Sequence, residues 1–445
     1  MPSTVFDSAI YRDFFGTPAM RAVWSDEALV ARYVEVEVAL AKAEARVGLI
    51  PADAAKEIAG KSDASKLDLA KLKAETDIVG YPIIGIVHQM AKQCGEAGRY
   101  VHWGATTQDI MDSATVLQLR AALDIINDEL HAVARALESL AAKHRDTVMA
   151  GRTHMQHALP VTFGYKAAVW LSSVRRDKAR LAELRKRLLV VQFSGAAGTL
   201  ASLGGDGLKV QAALAEELGL AQPDITWHAA RDTIAEVGSA LAILAGGLAK
   251  IATDVMLMMQ TEVAEAFEPF VKGRGGSSTM PQKRNPISCE MILAIAKAVR
   301  SDASLLLDAM AADHERATGP WHLEWIALPR AFIATAGALY QARFMLEGLI
   351  VDGDRMRRNL DITGGLIVAE AAMMALAPYT GRGAAHDIVY DCCREALNNG
   401  TTLLAQLEKR ADVTQHLDKA ALARVVDPAH YLGTAREMVD RMLKG

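Results

Sequence analysis

Cysteine is scarce in this chain, and that scarcity excludes two classes of protein. The 4 cysteines among 445 residues, Cys94, Cys289, Cys392 and Cys393, form no paired C-x-x-C spacing. Neither a structural zinc site nor a disulfide framework is indicated, and a reduced, cytoplasmic protein is the plain expectation. Aromatic residues are few at 5%, while Ala, Leu and Met are plentiful, which favours helices packed on helices over sheets. An excess of positive charge is also missing: the net charge of −4 argues against a general nucleic-acid binder, while leaving room for an acidic small molecule in a local basic pocket. The first residues, MPSTVFDSAIYRDFF, have no basic region followed by an apolar core, so no signal peptide is expected. The longest apolar run, from about Ala240 to Met259, is interrupted by Lys250 and Asp254 and reads as a buried helix rather than a membrane span.

What is abundant is apolar residues at helical spacing. At 51% hydrophobic the chain is too apolar for disorder, and its length suggests about three domains. After Ser25, a natural N-cap, Asp26 and Glu27 suit the positive end of a helix dipole. Leu29, Tyr33, Val36 and Leu40 then line one face, and Gly48 and Pro51 stop the helix. Longer helical segments are expected at 111–145, 163–190, 232–266 and 286–312. The 232–266 segment is apolar on nearly every side and should be buried all round. The expected fold is all-α: an N-terminal helical domain to residue 110, a central long-helix bundle over 111–360, and a C-terminal helical domain over 361–445. Exposed apolar surface on such a bundle would favour oligomerisation.

Three polar islands interrupt this background. In VHWGATTQDIMDSA, Thr106, Thr107, Gln108 and Asp109 precede a long helix, where hydroxyls and backbone N–H groups can bind a carboxylate; an ordinary N-cap is the plainer alternative. In AGRTHMQHALPVTFG, Arg152, Thr153, His154, Gln156 and His157 fall within six positions, and an imidazole there can relay protons or simply be structural. In GRGGSSTMPQKRNP, residues 273–286, glycine-rich backbone can turn its N–H groups toward an anion. Lys283 adds charge, Asn285 an amide, and Ser277 or Ser278 lies where charge would develop. A Gly-Ser linker would not need Met280-Pro281 and Lys283-Arg284-Asn285-Pro286 after its glycines.

With these islands in this order, the chain resembles the fumarase/aspartase superfamily. GSSTMPQKRNP is similar to the superfamily's signature loop, and HWGATTQD and GRTHMQHALP to its other two shared regions. The resemblance implies a mostly helical homotetramer with a multi-helix core, whose active sites each combine the three regions from three subunits. It implies that a base removes a proton beside a carboxylate while a group leaves the neighbouring carbon, with fumarate the usual product. It implies that Ser277 is the base, that Lys283 and Asn285 stabilise the carboxylate-centred intermediate, and that His154 pairs with Glu290. The remaining substrate-binding positions carried over are Thr106, Thr107, Gln108, Arg152, Thr153, Gln156, Ser278 and Met280. No metal or organic cofactor is implied, and no nucleic-acid or membrane partner.

Three activities within the superfamily compete. GRTHMQHALPVTFG resembles adenylosuccinate lyase, yet ETDIVGYP has Thr76-Asp77 where that branch usually has His-Asp. HLEWIALP likewise has Trp325 where that branch tends to have a phosphate-binding arginine. VVQFSGAAGTLASLG, HERATGPWHLEWIALPR and DPAHYLGTAR resemble bacterial 3-carboxy-cis,cis-muconate cycloisomerase, which commonly lacks the dyad kept here as His154 and Glu290. The combination points to a C–N lyase that releases fumarate from a non-nucleotide N-(1,2-dicarboxyethyl) amine. Such a substrate is a small polycarboxylate, and Arg152, Arg231, Arg316 and Arg330 are candidate clamps, Arg316 and Arg330 ranking first for their position beside Trp321 and His322. Each arginine is equally readable as a member of an ordinary ion pair.

Overall fold

A computed structural model describes residues 4–444. Helix accounts for 69% of the chain. The six longest helices among the described residues are α1 (Asp26–Val47), α2 (Thr107–Lys143), α3 (Phe163–Leu188), α4 (Asp232–Met258), α5 (Ile287–Asp308) and α6 (Pro320–Glu347). The capping signals explain α1 closely. Ser25 Oγ accepts from Ala28 N, and Gly48 ends the helix in the left-handed region at φ 87°. Helix α4 ends at Met258 rather than near residue 266, because Ala264 turns left-handed at φ 52° and Ala266–Phe267 pairs as strand with Ile350–Val351.

Other features also depart from the sequence reading. The second island is a β-hairpin, β1 (Val148–Thr153) with β2 (Gln156–Thr162), antiparallel and irregular between Ala150 and Arg152. Helix α6 was not anticipated: Pro329 lies within it, and the preceding loop ends at Gly319 with φ 102°.

Packing groups the chain into two compact units. One comprises Met1–Leu130, Arg176–Leu248 and Met291–Tyr340; the other comprises His131–Arg175, Ala249–Glu290 and Gln341–Gly445. In the first unit, Val36, Leu40 and Ala43 of α1 join Ile86 and Met90, Ile110 and Leu117 of α2, and Phe193 and Leu214 in one apolar core. In the second, a C-terminal core gathers Leu376, Val389, Cys392, Leu403 and Leu422. Helix α4 is not buried all round within one chain. Its most apolar stretch has a mean hydropathy of 1.7, long and apolar enough to cross a membrane by composition, but only 44% of it is buried. Asp254, on this helix, accepts from Lys250 Nζ at 2.5 Å and from Trp170 Nε1 at 2.9 Å.

Candidate active site

The first island starts α2 with a reciprocal cap. Thr106 O accepts from Asp109 N at 3.0 Å, and Asp109 Oδ2 accepts from Thr106 N at 3.0 Å. The same carboxylate takes Ser194 N and Gly195 N, each at 2.9 Å, so it ties the helix start to a second loop. Burial pushes the Asp109 carboxyl up to about 6, against the pull of the Thr106, Ser194 and Gly195 N–H groups. Gln108, also buried, donates to Asp112 Oδ2 at 3.0 Å and to His228 O at 2.9 Å, and its Oε1 accepts from Arg316. Arg316 donates further to Gly195 O at 3.1 Å and Ala196 O at 2.7 Å. Its five N–H groups exceed these three bonds by two. Thr106 and Thr107 are half-buried.

Behind this turn lies a buried ion network. Asp112 accepts from Arg231 Nη1 at 2.7 Å and from Trp321 Nε1 at 3.1 Å, and Arg231 Nε reaches Glu324 Oε1 at 2.8 Å. Arg231 is only 2% exposed, so its charge serves the interior. Arg330 likewise pairs with Asp302, which is fully buried.

The hairpin presents the second island at its tip. His154 and Met155 occupy a two-residue turn with φ 51° and 64°, between the paired Thr153 and Gln156. Such turns favour Asn-Gly, because other side chains are strained there. His154 is exposed and Met155 is 76% exposed. Arg152 forms a two-pronged pair with the buried Glu265, Nη1 to Oε2 at 2.8 Å and Nη2 to Oε1 at 2.6 Å, and Asn359 adds a third bond to Glu265 at 2.8 Å.

The signature loop is tied at its base and free at its tip. Asn285 N donates to Gly275 O at 2.8 Å, Gly276 bridges Arg284, and Arg274 Nη2 reaches Ser288 Oγ at 2.7 Å and Gln341 Oε1 at 2.8 Å. Gly275 has φ 67°, and a Cβ there would meet Asn285 O at 2.5 Å, so only glycine fits. At the tip, Ser277 Oγ accepts from Met280 N at 3.1 Å and Thr279 N at 3.3 Å. Ser277 and Asn285 are half-buried, whereas Ser278, Met280 and Lys283 are exposed. Glu290, in the first turn of α5, is also exposed.

Within one chain, then, Gln108 and Arg316 come together. Among the described residues no hydrogen bond or ion pair joins Ser277 or Lys283 to His154 or Glu290. Sequence reading missed two supporting carboxylates. Glu268, 4% exposed, accepts from Cys289 N at 2.9 Å and Ser288 N at 3.3 Å, fixing the start of α5 behind the signature loop. Glu37, 1% exposed, meets His102 Nδ1 at 2.6 Å, and His102 sits at φ 63° at the head of the first island. Burial alone would depress His102, but the Glu37 charge and hydrogen bond outweigh it and raise the imidazole. Glu37 lies on the buried face of α1, so an acid at a core position was the available signal. No group of three or more His, Cys, Asp or Glu side chains with metal-holding geometry occurs among the described residues.

Comparison with known proteins assigns the chain to a family. The pattern of the family described as Lyase matches residues 15–301, and that of the adenylosuccinate lyase C-terminus matches residues 365–442. A solved fumarate lyase from Mesorhizobium sp. BNC1 is 54% identical, with a TM-score of 0.92 over 97% of this chain and 98% of that one. A 3-carboxy-cis,cis-muconate cycloisomerase of Pseudomonas aeruginosa is 48% identical over 99% of this chain and 97% of its own length. An N-acetyl-S-(2-succino)cysteine lyase of Dickeya dadantii is 40% identical over 100% of this chain and 98% of its own. The chain therefore belongs to the fumarase/aspartase superfamily and is an enzyme of its lyase and cycloisomerase group.

Proposed function

We propose that this enzyme eliminates an amine from a non-nucleotide N-(1,2-dicarboxyethyl) amine and releases fumarate. Ser277, as its alkoxide, takes the proton from the carbon beside one carboxylate. The electron pair is held on that carboxylate as the doubly charged aci form, then forms the C=C bond as the C–N bond breaks. The nitrogen keeps the C–N pair and receives a proton from His154, with Glu290 as the partner of that histidine. Lys283 and Asn285 hold the carboxylate on which charge accumulates, and Arg316, with Thr106 and Thr107, holds the other, the three regions coming together from three different subunits.

The observation that carries this reading is the pair of loop N–H groups, from Thr279 and Met280, that donate to Ser277 Oγ. A serine is a poor base at neutral pH, and donors aimed at its oxygen favour the ionised form. The likeness to a lyase named for N-acetyl-S-(2-succino)cysteine, a succinate substituted through sulfur, supports the dicarboxyethyl half of the substrate, and the likeness to a nitrosuccinate lyase supports a substituent bound through nitrogen. The likeness to a muconate cycloisomerase favours a second reading, lactonising cycloisomerisation of 3-carboxy-cis,cis-muconate. Adenylosuccinate lyase ranks behind both, because Thr76 and Trp325 replace its usual residues. Ultraviolet absorbance of fumarate, appearing when N-(1,2-dicarboxyethyl) amines are supplied, is expected; turnover of carboxymuconate alone rejects the lyase.

Self-association as a homotetramer is part of this proposal. The apolar face of α4 left open in one chain, including Ile243 at 51% exposure, is the surface it would cover. Light scattering on the purified protein is expected to give four chains, and a monodisperse monomer with full activity defeats the assembly.

A further inference from the structure

The two positions at which this chain departs from the nucleotide-handling branch, Thr76 and Trp325, line one cavity. The cavity measures about 280 Å³, and its wall includes Trp24, Tyr33, Trp321 and Leu328. Trp321 and Trp325 meet edge to face, with ring centroids 5.0 Å apart, and Tyr81 lies 5.9 Å and 6.0 Å from the two rings.

No lysine, arginine or histidine is among the lining residues. The one carboxylate on the wall, Glu324, is already bonded to Arg231. Among the other polar side chains there, Thr76 donates to Leu72 O and Thr115 to Met111 O, each at 2.8 Å within its own helix, and Gln118 donates to Val23 O at 2.7 Å. A phosphate would find no cation here and would lose its hydration, so anions are excluded. An aromatic ring suits both walls and volume, since a cavity of roughly 150 Å³ already admits benzene.

The cavity adjoins the candidate carboxylate site. Trp321 Nε1 donates to Asp112, and Asp112 accepts from Gln108, so one residue joins the wall to the α2 turn. Met111, Thr115 and Gln118 continue that side of α2, and Thr115 lies about 10 Å beyond Gln108 along the axis. We infer that this cavity holds an uncharged aromatic portion of the departing amine, an assignment that rests on the elimination proposed above.

Calorimetric titration of the wild-type enzyme with indole tests binding apart from turnover. One saturable site per chain is expected, at least tenfold weaker in Trp325→Ala and in the cavity-filling Thr115→Phe, with circular dichroism verifying that both variants are folded. Adenosine monophosphate and tetramethylammonium are expected not to compete. Absence of saturable indole binding, equal affinity in both folded variants, or competition by either ion overturns the inference. In parallel, N-(1,2-dicarboxyethyl)benzylamine is expected to exceed its methylamine counterpart at least tenfold in kcat/KM. Equal values with indole binding intact overturn the leaving-group assignment alone. No fumarate from either compound, with indole still bound, identifies the elimination reading as the failed step.

Discussion

The start of α2 and the signature loop are both polar breaks in a helical protein, yet they are built in opposite ways. At α2, Gln108 and Asp109 are 2% and 1% exposed, and every bond they make fixes the interior. In the loop, only the base is tied, through Gly275, Arg274 and Arg284, while Lys283 and Ser278 lie open. Ser277 has only donors from its own loop. In the elimination proposed above, the rigid anchor is the part that holds a carboxylate, and the loop, with few bonds to the rest of its chain, is the part that carries the base. Mutations in the two places should therefore separate stability from turnover.

The largest expected effect is on turnover at the loop. Ser277→Ala should lower kcat by roughly 10³-fold, the scale of a lost general base, with the thermal melt unchanged because the side chain bonds nothing outside its loop. Near-normal kcat in this variant would remove Ser277 from the chemistry. The converse experiment is Arg231→Met. It leaves Asp112 and Glu324 buried without their cation and should cost about 3–5 kcal/mol of stability, measured by urea unfolding. A small loss there would mean the α2 anchor is not the rigid half of the pair.

How far the sequence foretold this contrast depended on whether a feature was local. Ser25 and Gly48 marked α1 because capping and left-handed termination are decided by neighbouring residues. The glycines of the loop were legible for the same reason. The hairpin at 148–162 was hidden, since its pairing overrides the weak strand preference of RTHMQHALP, and α6 was hidden by Pro329. Helix α4 was read as apolar on all sides, which composition can establish; how much of it one chain buries cannot be read from periodicity. The internal partners of Arg152, Arg231 and Arg330, namely Glu265, Asp112 with Glu324, and Asp302, lie 28 to 119 residues away in sequence, beyond the reach of any motif.

A smaller effect concerns how α1, which shares an apolar core with α2, responds to pH. Glu44, one of the buried residues of α1, has both carboxylate oxygens unpartnered, and burial with the nearby Glu37 charge pushes it up to about 9. The folded state thus holds a proton that the unfolded chain releases near its ordinary value of 4.5. Stability falls as pH rises between those values, by on the order of 3 kcal/mol at pH 7. His102 acts in the same sense, because a raised imidazole loses its contribution as pH climbs through its folded pKa. Glu44→Gln should raise the melting temperature at pH 8 and leave it nearly unchanged at pH 5. An equal gain at both values would mean that charge is not the cause.

The smallest effect tests whether backbone strain at the hairpin tip is kept for the chemistry. His154 and Met155 both lie in the left-handed region, at a cost of about 1–2 kcal/mol per residue that glycine avoids. Glycine is itself more entropic in the unfolded chain by roughly 0.5–1 kcal/mol, so the net gain per site should be near 0.5 kcal/mol. Met155→Gly and His154→Gly are therefore expected to raise the urea midpoint slightly and by similar amounts. Their activities should diverge: Met155→Gly keeps most of kcat, whereas His154→Gly loses roughly 10²-fold or more, as expected for a lost proton donor. If both variants gained stability and kept full activity, the strained tip would be an accident of the hairpin, and the acid would have to be sought elsewhere.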